Sequence, residues 1–175
     1  GVFVLAAQPA LGANNVADLV KLARARPGQL NYGSSGNGSI QHLAGEMFNV
    51  QAGVKTTHVP YKGAVIALTD LIAGQIQFIV ASPTIVLPHA KTARLKVLAS
   101  TGAKRDTLLP DLPSVAETLP GFEITSWQGV VLPAKTPATI VNRLYSEVIK
   151  ALQSADVRDA LAKQGVTAHA ESPAE

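Results

Sequence analysis

Short apolar runs alternate with helical stripes along this chain, and that alternation limits the fold more than any other feature. VFVLA (residues 2–6) has the length and density of a buried strand. Asn14 or Asn15 is placed to cap a helix reaching Arg26, with Val16, Leu19, Val20 and Ala23 on one face and Pro27-Gly28 ending it. QLNYG is a second strand running into a glycine-rich loop, and beyond the loop Ile40, Leu43, Ala44, Met47 and Phe48 recur at helical spacing. THVPY is a third strand. Ala64, Leu68, Leu71 and Ile72 mark the next helix, closed by Gly74 at a C′ position. QIQFIVAS and RLKVLAST are further strands, separated by a short helix or turn over residues 83–91. The order predicts an α/β fold with a central sheet of about five strands within residues 6–100, mostly parallel and covered by helices on both faces.

From residue 101 to 121 the pattern loosens, with Pro110, Pro113 and Pro120 around a short PSVAETL helix. ITSWQGVVLP predicts another strand. Thr136 is placed to cap a long helix with Pro137 at its first position and Val141, Leu144, Tyr145, Val148 and Leu152 on one face. A second helix is expected from Ser154 to Gln164, ended by Gly165. Ser172-Pro173-Ala174-Glu175 spells an N-cap, a first-turn proline and a capping-box glutamate, so the chain is expected to be cut short there. Gly1, with no initiator methionine or basic leader, reads as a processed or artificial end.

Composition removes several function classes. The 175 residues suffice for one sizeable domain or two small lobes, and 47% apolar with 15% charged residues describes a globular chain. The longest apolar runs, IVLPHA and GVVLPA, fall far short of the ~20 residues that span a bilayer, so no membrane-embedded segment is expected. The net charge of +3 is dispersed, with only Lys104-Arg105 adjacent, which argues against a nucleic-acid partner. The absence of cysteine excludes disulfides, thiolate metal sites and thiol nucleophiles. His58, His89 and His169 lack metal-ligand spacing and read as structural or surface residues; no cofactor is expected.

The stretch NYGSSGNGSIQHL carries the chemistry. Gly33, Gly36 and Gly38 are costly to order unless the backbone needs positive φ or something approaches it closely. The loop lies between a strand and a helix, where open α/β sheets place their ligands. Amides of Gly36 to Ser39, the positive end of the helix and the hydroxyls of Ser34, Ser35 and Ser39 would suit an anion. A tight strand-to-helix turn with Ser39 as N-cap accounts for the same residues. The loop lacks the Gly-Lys-Ser/Thr ending of a phosphate-binding loop and the dinucleotide spacing. A hydrolase using a loop serine is a further alternative, but Gly-x-Ser-x-Gly is not formed and no acidic residue is set to orient His42.

NYGSSGNGSIQHLAGEMF, HVPYKGAVIALTDLIAGQI, LASTGAKRDTLLPDLPSVAE and WQGVVLPAKTP, in this order and spacing, resemble the solute-binding proteins of tripartite tricarboxylate transporters, the Bug or TctC-like family, over nearly the whole chain. The resemblance implies a lobe of the type II periplasmic-binding fold, a periplasmic location, capture of small carboxylates, delivery to a membrane permease, and no catalysis. It also implies a second-lobe fragment. VFVLAAQPALG matches the strand crossing into that lobe, residues 6–125 would form the ligand-binding lobe, and residues 126–175 the return strand and helices that complete the first lobe and hinge.

Carried over position by position, ligand binding falls to Ser34, Ser35, Gly36, Gly38, Ser39 and His42, to Pro60, Tyr61, Lys62 and Gly63, and to Ser82. Structural alternatives stand beside these: a part-buried hydrogen-bonded His42, a solvated Lys62, and a packing Tyr61 with its hydroxyl at the cleft edge. Trp127 would line the cleft near the hinge or only cover apolar surface. Ala81-Ser82 stands where the family often has an Asp, which disfavours an amino-acid ligand and leaves plain carboxylates. Effector lobes of transcriptional regulators share the fold, but no helix-turn-helix accompanies this one. The faces of the 137–152 and 155–164 helices are expected to be exposed and to favour self-association.

Overall fold

The computed structural model describes residues 1–168, in two units: Val2–Thr125, and Gly1 with the segment from Ser126 onward. The larger unit contains β1 (Val4–Ala7), α1 (Val16–Ala25), β2 (Asn31–Ser34), α2 (Ile40–Ala52), β3 (Thr57–Pro60), α3 (Ala64–Ile72), β4 (Phe78–Ala81), α4 (Pro83–Lys91) and β5 (Lys96–Ser100). The strands form one sheet in the order β3-β2-β4-β1-β5.

Apolar side chains alternate between the two sides of this sheet, as the period of two requires. Leu5 and Ala7 of β1 and Phe78 and Val80 of β4 enter one core, together with Leu19 and Val20 of α1 and Ala44 and Phe48 of α2. Val4, Ala6, Ile79 and Ala81 enter the other, with Ala67, Leu68 and Leu71 of α3 and Val86 of α4. Both faces are therefore covered by helices, which explains why β1 and β4 read as continuous apolar runs. Local signals act as expected at the ends: Asn15 Oδ1 accepts the Asp18 amide to start α1, and Gly74 at φ 80° follows α3.

The direction of β1 departs from the parallel expectation. β2 runs parallel to β3 and β4, and β5 shares their direction, but β1 is antiparallel to both of its neighbours, β4 and β5. Ala7 ends β1 opposite Phe78, at the edge where β2 begins with the Asn31 carbonyl accepting from Gln77. The connection through α1 thus leaves and re-enters the sheet at one edge. A helical stripe between two strands excludes a tight hairpin, but it fixes their relative direction only when the helix crosses from edge to edge.

In the smaller unit α5 (Ala138–Gln153) and α6 (Ala155–Lys163) contain no buried residue. The apolar face of α5 is half-buried at Val141, Tyr145 and Leu152 and more open at Leu144 and Val148. Pro137 occupies the N-cap rather than the first helical position, and the Thr136 hydroxyl donates to the Pro133 carbonyl instead of capping. The strand expected from ITSWQGVVLP does not form. Thr125 makes a single bridge to Val2, Ser126 exchanges bonds with Gly1, and residues 126–133 have no ladder partner among the described residues. A strand without a partner leaves its amides to water, whatever its apolar content. Trp127 is 86% exposed there, so it covers no apolar surface among the described residues. The expected helix start at Ser172 lies outside the described residues.

Gly45, buried within α2, lies against the sheet at Tyr32, and a Cβ at this position would overlap the carbons of the Tyr32 ring. Alanine gains about 1 kcal/mol of helix propensity. Tyr32 is only 1% exposed, and overpacking of this kind costs ~1–3 kcal/mol. Net of the propensity gain, Gly45→Ala should lower the unfolding free energy by up to about 2 kcal/mol, seen as a lower urea midpoint. An unchanged or higher midpoint would show that the helix can lift away without cost.

Candidate functional site

The carboxyl ends of β3, β2 and β4 lie side by side, with Ser34 opposite Pro60 and Gly33 opposite Ile79 in the register. Each strand is followed by a helix, so the amino termini of α2, α3 and α4 face this same edge. The fold thereby gathers Ser34, Ser35, Gly36, Gly38, Ser39 and His42 with Pro60, Tyr61, Lys62 and Gly63, and places Ser82 after β4 on the same edge. The Tyr61 amide donates to the Ser34 carbonyl at 3.0 Å, joining the first two loops. Gly33 lets α3 and the segment after it approach β2, since a Cβ there would stand 3.2 Å from Ala67 Cβ and 2.5 Å from Ile76 Cδ1.

The glycine loop is closed on itself. Gly36 and Gly38 have φ of 126° and 76°, values open to glycine, and their amides turn inward. The Gly36 N–H donates to Ser34 Oγ at 3.0 Å, the Ser39 N–H to the Gly36 carbonyl at 3.2 Å, and the Gly38 N–H to His42 Nδ1 at 3.0 Å. These amides are therefore engaged inside the loop, where the sequence suggested an anion. Ser39 caps α2 by accepting the His42 amide at 3.3 Å, and Ser35 Oγ donates to Gln41 Oε1 at 2.8 Å. The amides of Ile40 and Gln41, in the first turn of α2, have no hydrogen-bond partner among the described residues and remain open to a ligand.

The second and third loops divide in the same way between support and availability. Tyr61 donates its hydroxyl to Asp70 Oδ2 at 2.8 Å, and burial together with this bond pushes its phenol up to about 12. It is a packing residue committed to α3. Lys62 is exposed and makes no salt bridge among the described residues. Ser82 Oγ bonds Thr84 Oγ1 at 2.8 Å in the first turn of α4.

His58 joins this group, although the sequence placed it among structural or surface residues. It stands opposite Tyr32 in the β2–β3 register, with Nε2 2.6 Å from Ser34 Oγ. Its ring stacks on Tyr32 at 5.0 Å and on His42 at 4.0 Å. Tyr32 in turn donates its hydroxyl to Glu46 Oε1 at 2.6 Å, and burial and that carboxylate raise its phenol far above the usual range. Burial, then the neighbouring His42, lowers the imidazole of His58 against an upward pull from Glu46. Ser34 and His58 lie 24 positions apart in two different motifs, and the strand register brings them together.

The Ser34–His58 contact has the distance of a nucleophile and base, but its surroundings suit a structural bond. Ser34 is 0% exposed, its hydroxyl is shared with the Gly36 backbone, and His58 Nδ1 has no hydrogen-bond partner among the described residues. No group of three or more potential metal ligands occurs among the described residues. A groove of about 350 Å³ lined by Val20, Lys21, Arg24 and Leu119 lies at α1, away from these loops.

Removing the Ser34 hydroxyl strands the Gly36 amide and the His58 ring nitrogen. Ser34→Ala should cost about 1–3 kcal/mol of stability in a chemical denaturation curve; a neutral substitution would mean water replaces the hydroxyl. His58 resists protonation in the fold, so its stabilising contribution is complete above its unfolded value of about 6.5 and is lost as pH falls below it. Thermal unfolding should therefore occur at lower temperature at pH 5.5 than at pH 7.5, and His58→Phe should flatten that dependence; an equally steep profile in the variant would place its origin elsewhere.

Residues 1–174 match the model of the tripartite tricarboxylate transporter family receptor. The chain is 38% identical over 154 residues to the UPF0065 protein in the tcbD-tcbE intergenic region of Pseudomonas sp. (strain P51), covering 87% of this chain and 46% of that protein. Among solved structures, Rpa4515 of R. palustris with adipate is 36% identical with a TM-score of 0.88, covering 99% of this chain and 58% of that one. MatC (Rpa3494) of Rhodopseudomonas palustris with bound malate is 28% identical with a TM-score of 0.80, covering 95% and 57%. The chain thus spans about half the length of these relatives and shares with the structures their central sheet flanked by helices; it belongs to the tripartite tricarboxylate transporter receptor family, whose members are solute-binding proteins.

Proposed function

We propose that this chain provides one ligand-binding lobe of a periplasmic receptor that captures small carboxylates for a membrane permease of the tripartite tricarboxylate type. The observation that carries this reading is the convergence of three helix amino termini on one edge of the sheet, where the amides of Ile40 and Gln41 and the ammonium of Lys62 have no partner among the described residues. Such an edge favours negative charge through aligned dipoles and unsatisfied N–H groups. In this reading Ser35, Gly36, Gly38, Ser39, Pro60, Gly63 and Ser82 shape the pocket wall. Ser34 and His42 hold the loop, Lys62 supplies charge, and Tyr61 supports the second loop from behind. No acidic side chain follows β4, where Ala81 and Ser82 stand, so nothing in that loop would pair with the ammonium group of an amino acid. The adipate and malate held by the two structural relatives belong to the class this edge suits.

The residues of Val2–Thr125 serve as the second lobe in this proposal, and those from Ser126 onward as part of the return to the first. The half-exposed α5 face, with Leu144 and Val148, would make the isolated chain prone to self-association. One lobe leaves much of a small ligand in water, so the isolated chain should bind carboxylates far more weakly than the full-length receptor.

Calorimetry and thermal shift on the full-length protein with adipate, malate and arginine test the reading. A carboxylate present at about 100 times its Kd should add ~2.7 kcal/mol to stability. Lys62→Ala should weaken that binding by about 1 kcal/mol or more without changing the unliganded melting temperature. Binding of arginine with no response to either carboxylate would overturn the proposal.

A further inference from the structure

His42 occupies the third position of α2, where a capping-box side chain normally reaches back to the backbone ahead of the helix. Here the ring does so through Nδ1, which accepts the Gly38 N–H, while Ser39 Oγ accepts the His42 N–H in return. An imidazole can accept only through an unprotonated nitrogen, and a protonated ring offers two donors and no acceptor. Protonation of His42 at Nδ1 would set two donors against each other at the centre of the glycine loop. It would also bring positive charge to the positive end of α2. His58 presses on the same ring, 4.0 Å away and nearly parallel, so a proton on either imidazole repels one on the other. The two rings hold both ends of the loop: His58 through Ser34 Oγ, His42 through the Gly38 amide.

The groups around the pair come from three elements. β2 contributes Tyr32, whose ring stacks on His58 and whose hydroxyl is committed to Glu46, together with Ser34. α2 contributes His42 and Glu46, and β3 contributes His58 itself. Glu46 favours a proton on His58 while burial and His42 oppose it, and burial and His42 prevail. No other ionisable side chain is hydrogen-bonded to either ring among the described residues.

We propose that the stacked His42–His58 pair is a proton-sensitive positioning element for the carboxylate-binding loop: residues 34–39 keep the shape seen here only while His42 is neutral, so acidification loosens the loop and lowers carboxylate affinity. The inference rests on the receptor reading for its effect on ligand, and on hydrogen-bond geometry alone for its effect on the loop. Two consequences oppose each other at low pH, because an imidazolium also attracts a carboxylate. The attraction is screened at this solvent-facing edge, whereas the lost Gly38 bond removes the fixed loop geometry on which binding depends. The proposal therefore commits to weaker binding in acid.

The loop arm of the test needs no ligand. In the 175-residue chain, NMR titration between about pH 5 and 8 should show the Gly38 amide proton moving with the ring signals of His42 and His58. His42→Gln keeps an acceptor at the same helix position without a titrating group, and it should leave the Gly38 amide bonded and indifferent to pH. The ligand arm uses adipate, with each affinity expressed per fully ionised ligand so that the second carboxyl's own titration is divided out. Full-length wild type should bind it roughly tenfold more weakly at pH 5.5 than at pH 7.5, and His42→Gln should bind it equally at both. A Gly38 amide that stays fixed while the imidazoles titrate overturns the proposal. So does adipate affinity that is flat or rises in acid for the wild type, or a His42→Gln variant with the wild-type pH profile. Failure of adipate and malate to bind at any pH strikes instead at the receptor reading, and the Gly38 titration then decides whether the pair controls the loop.

Discussion

The Tyr32 ring fills the space that a side chain at residue 45 would need, and much of the site depends on that substitution of one group for another. Because Gly45 presents only backbone, α2 settles close to the sheet and Tyr32 lies buried beneath it. The ring stacks on Phe78 of β4 with centroids 5.5 Å apart and on His58 of β3 at 5.0 Å, so one side chain links β2, β3 and β4. Its hydroxyl reaches the helix at Glu46, which fixes where α2 sits along the strands and hence where its first turn meets the glycine loop. The position of His42 over His58 follows from that docking. Packing in the core and the geometry of the loop are thus one arrangement, and a change in the first moves the second.

The same edge of the sheet also carries the ends of the larger unit. β1 runs opposite to its neighbours, so its amino end, opposite Ala81 and Ser100, emerges beside the carboxyl ends of β4 and β5. Thr101, fully buried just after β5, accepts the Phe3 amide at 2.9 Å and donates to the Ile124 carbonyl at 2.6 Å. One hydroxyl therefore holds the entering and leaving segments together, and Val2 and Thr125 bridge immediately beyond it. A buried hydroxyl with donor and acceptor both satisfied is stable. It ties the chain at two backbone positions, Phe3 and Ile124.

Much of the sheet was legible because its strands are short, β1 and β4 are apolar on both faces, and helical stripes separate them. Asn15, Ser39 and Gly74 mark boundaries through local chemistry that acts the same in any fold. β1 was legible as a strand but not in direction, since direction depends on where α1 returns the chain. ITSWQGVVLP has the composition of a strand and lacks a partner; propensity describes a segment, whereas a ladder needs two. The stretch over residues 83–91 read as a short helix or turn, and α4 spans those residues, continuing through Pro88. At the site, the serines and glycines of residues 34–39 announced themselves by density. His58 did not, because its importance comes from a ring stack and a 2.6 Å contact created by the register of β2 and β3.

Glycine in a ligand loop is commonly explained by the close approach of a ligand, and this loop separates that explanation from a second one. A Cβ at Gly38 meets nothing within 4 Å, so space alone would admit a side chain there. The backbone at φ 76° would not welcome one, and that conformation is what aims the Gly38 N–H at His42. Gly36 is similar: a Cβ would only touch the Tyr61 carbonyl at 3.5 Å, while φ of 126° turns its amide to Ser34. These glycines are required first by the loop's internal hydrogen bonds. The donors left for an anion are those at the start of α2, which the closed loop delivers to the edge of the sheet without spending them. The loop's own bonds therefore act as scaffolding, and the amides they leave open lie one turn farther along the chain.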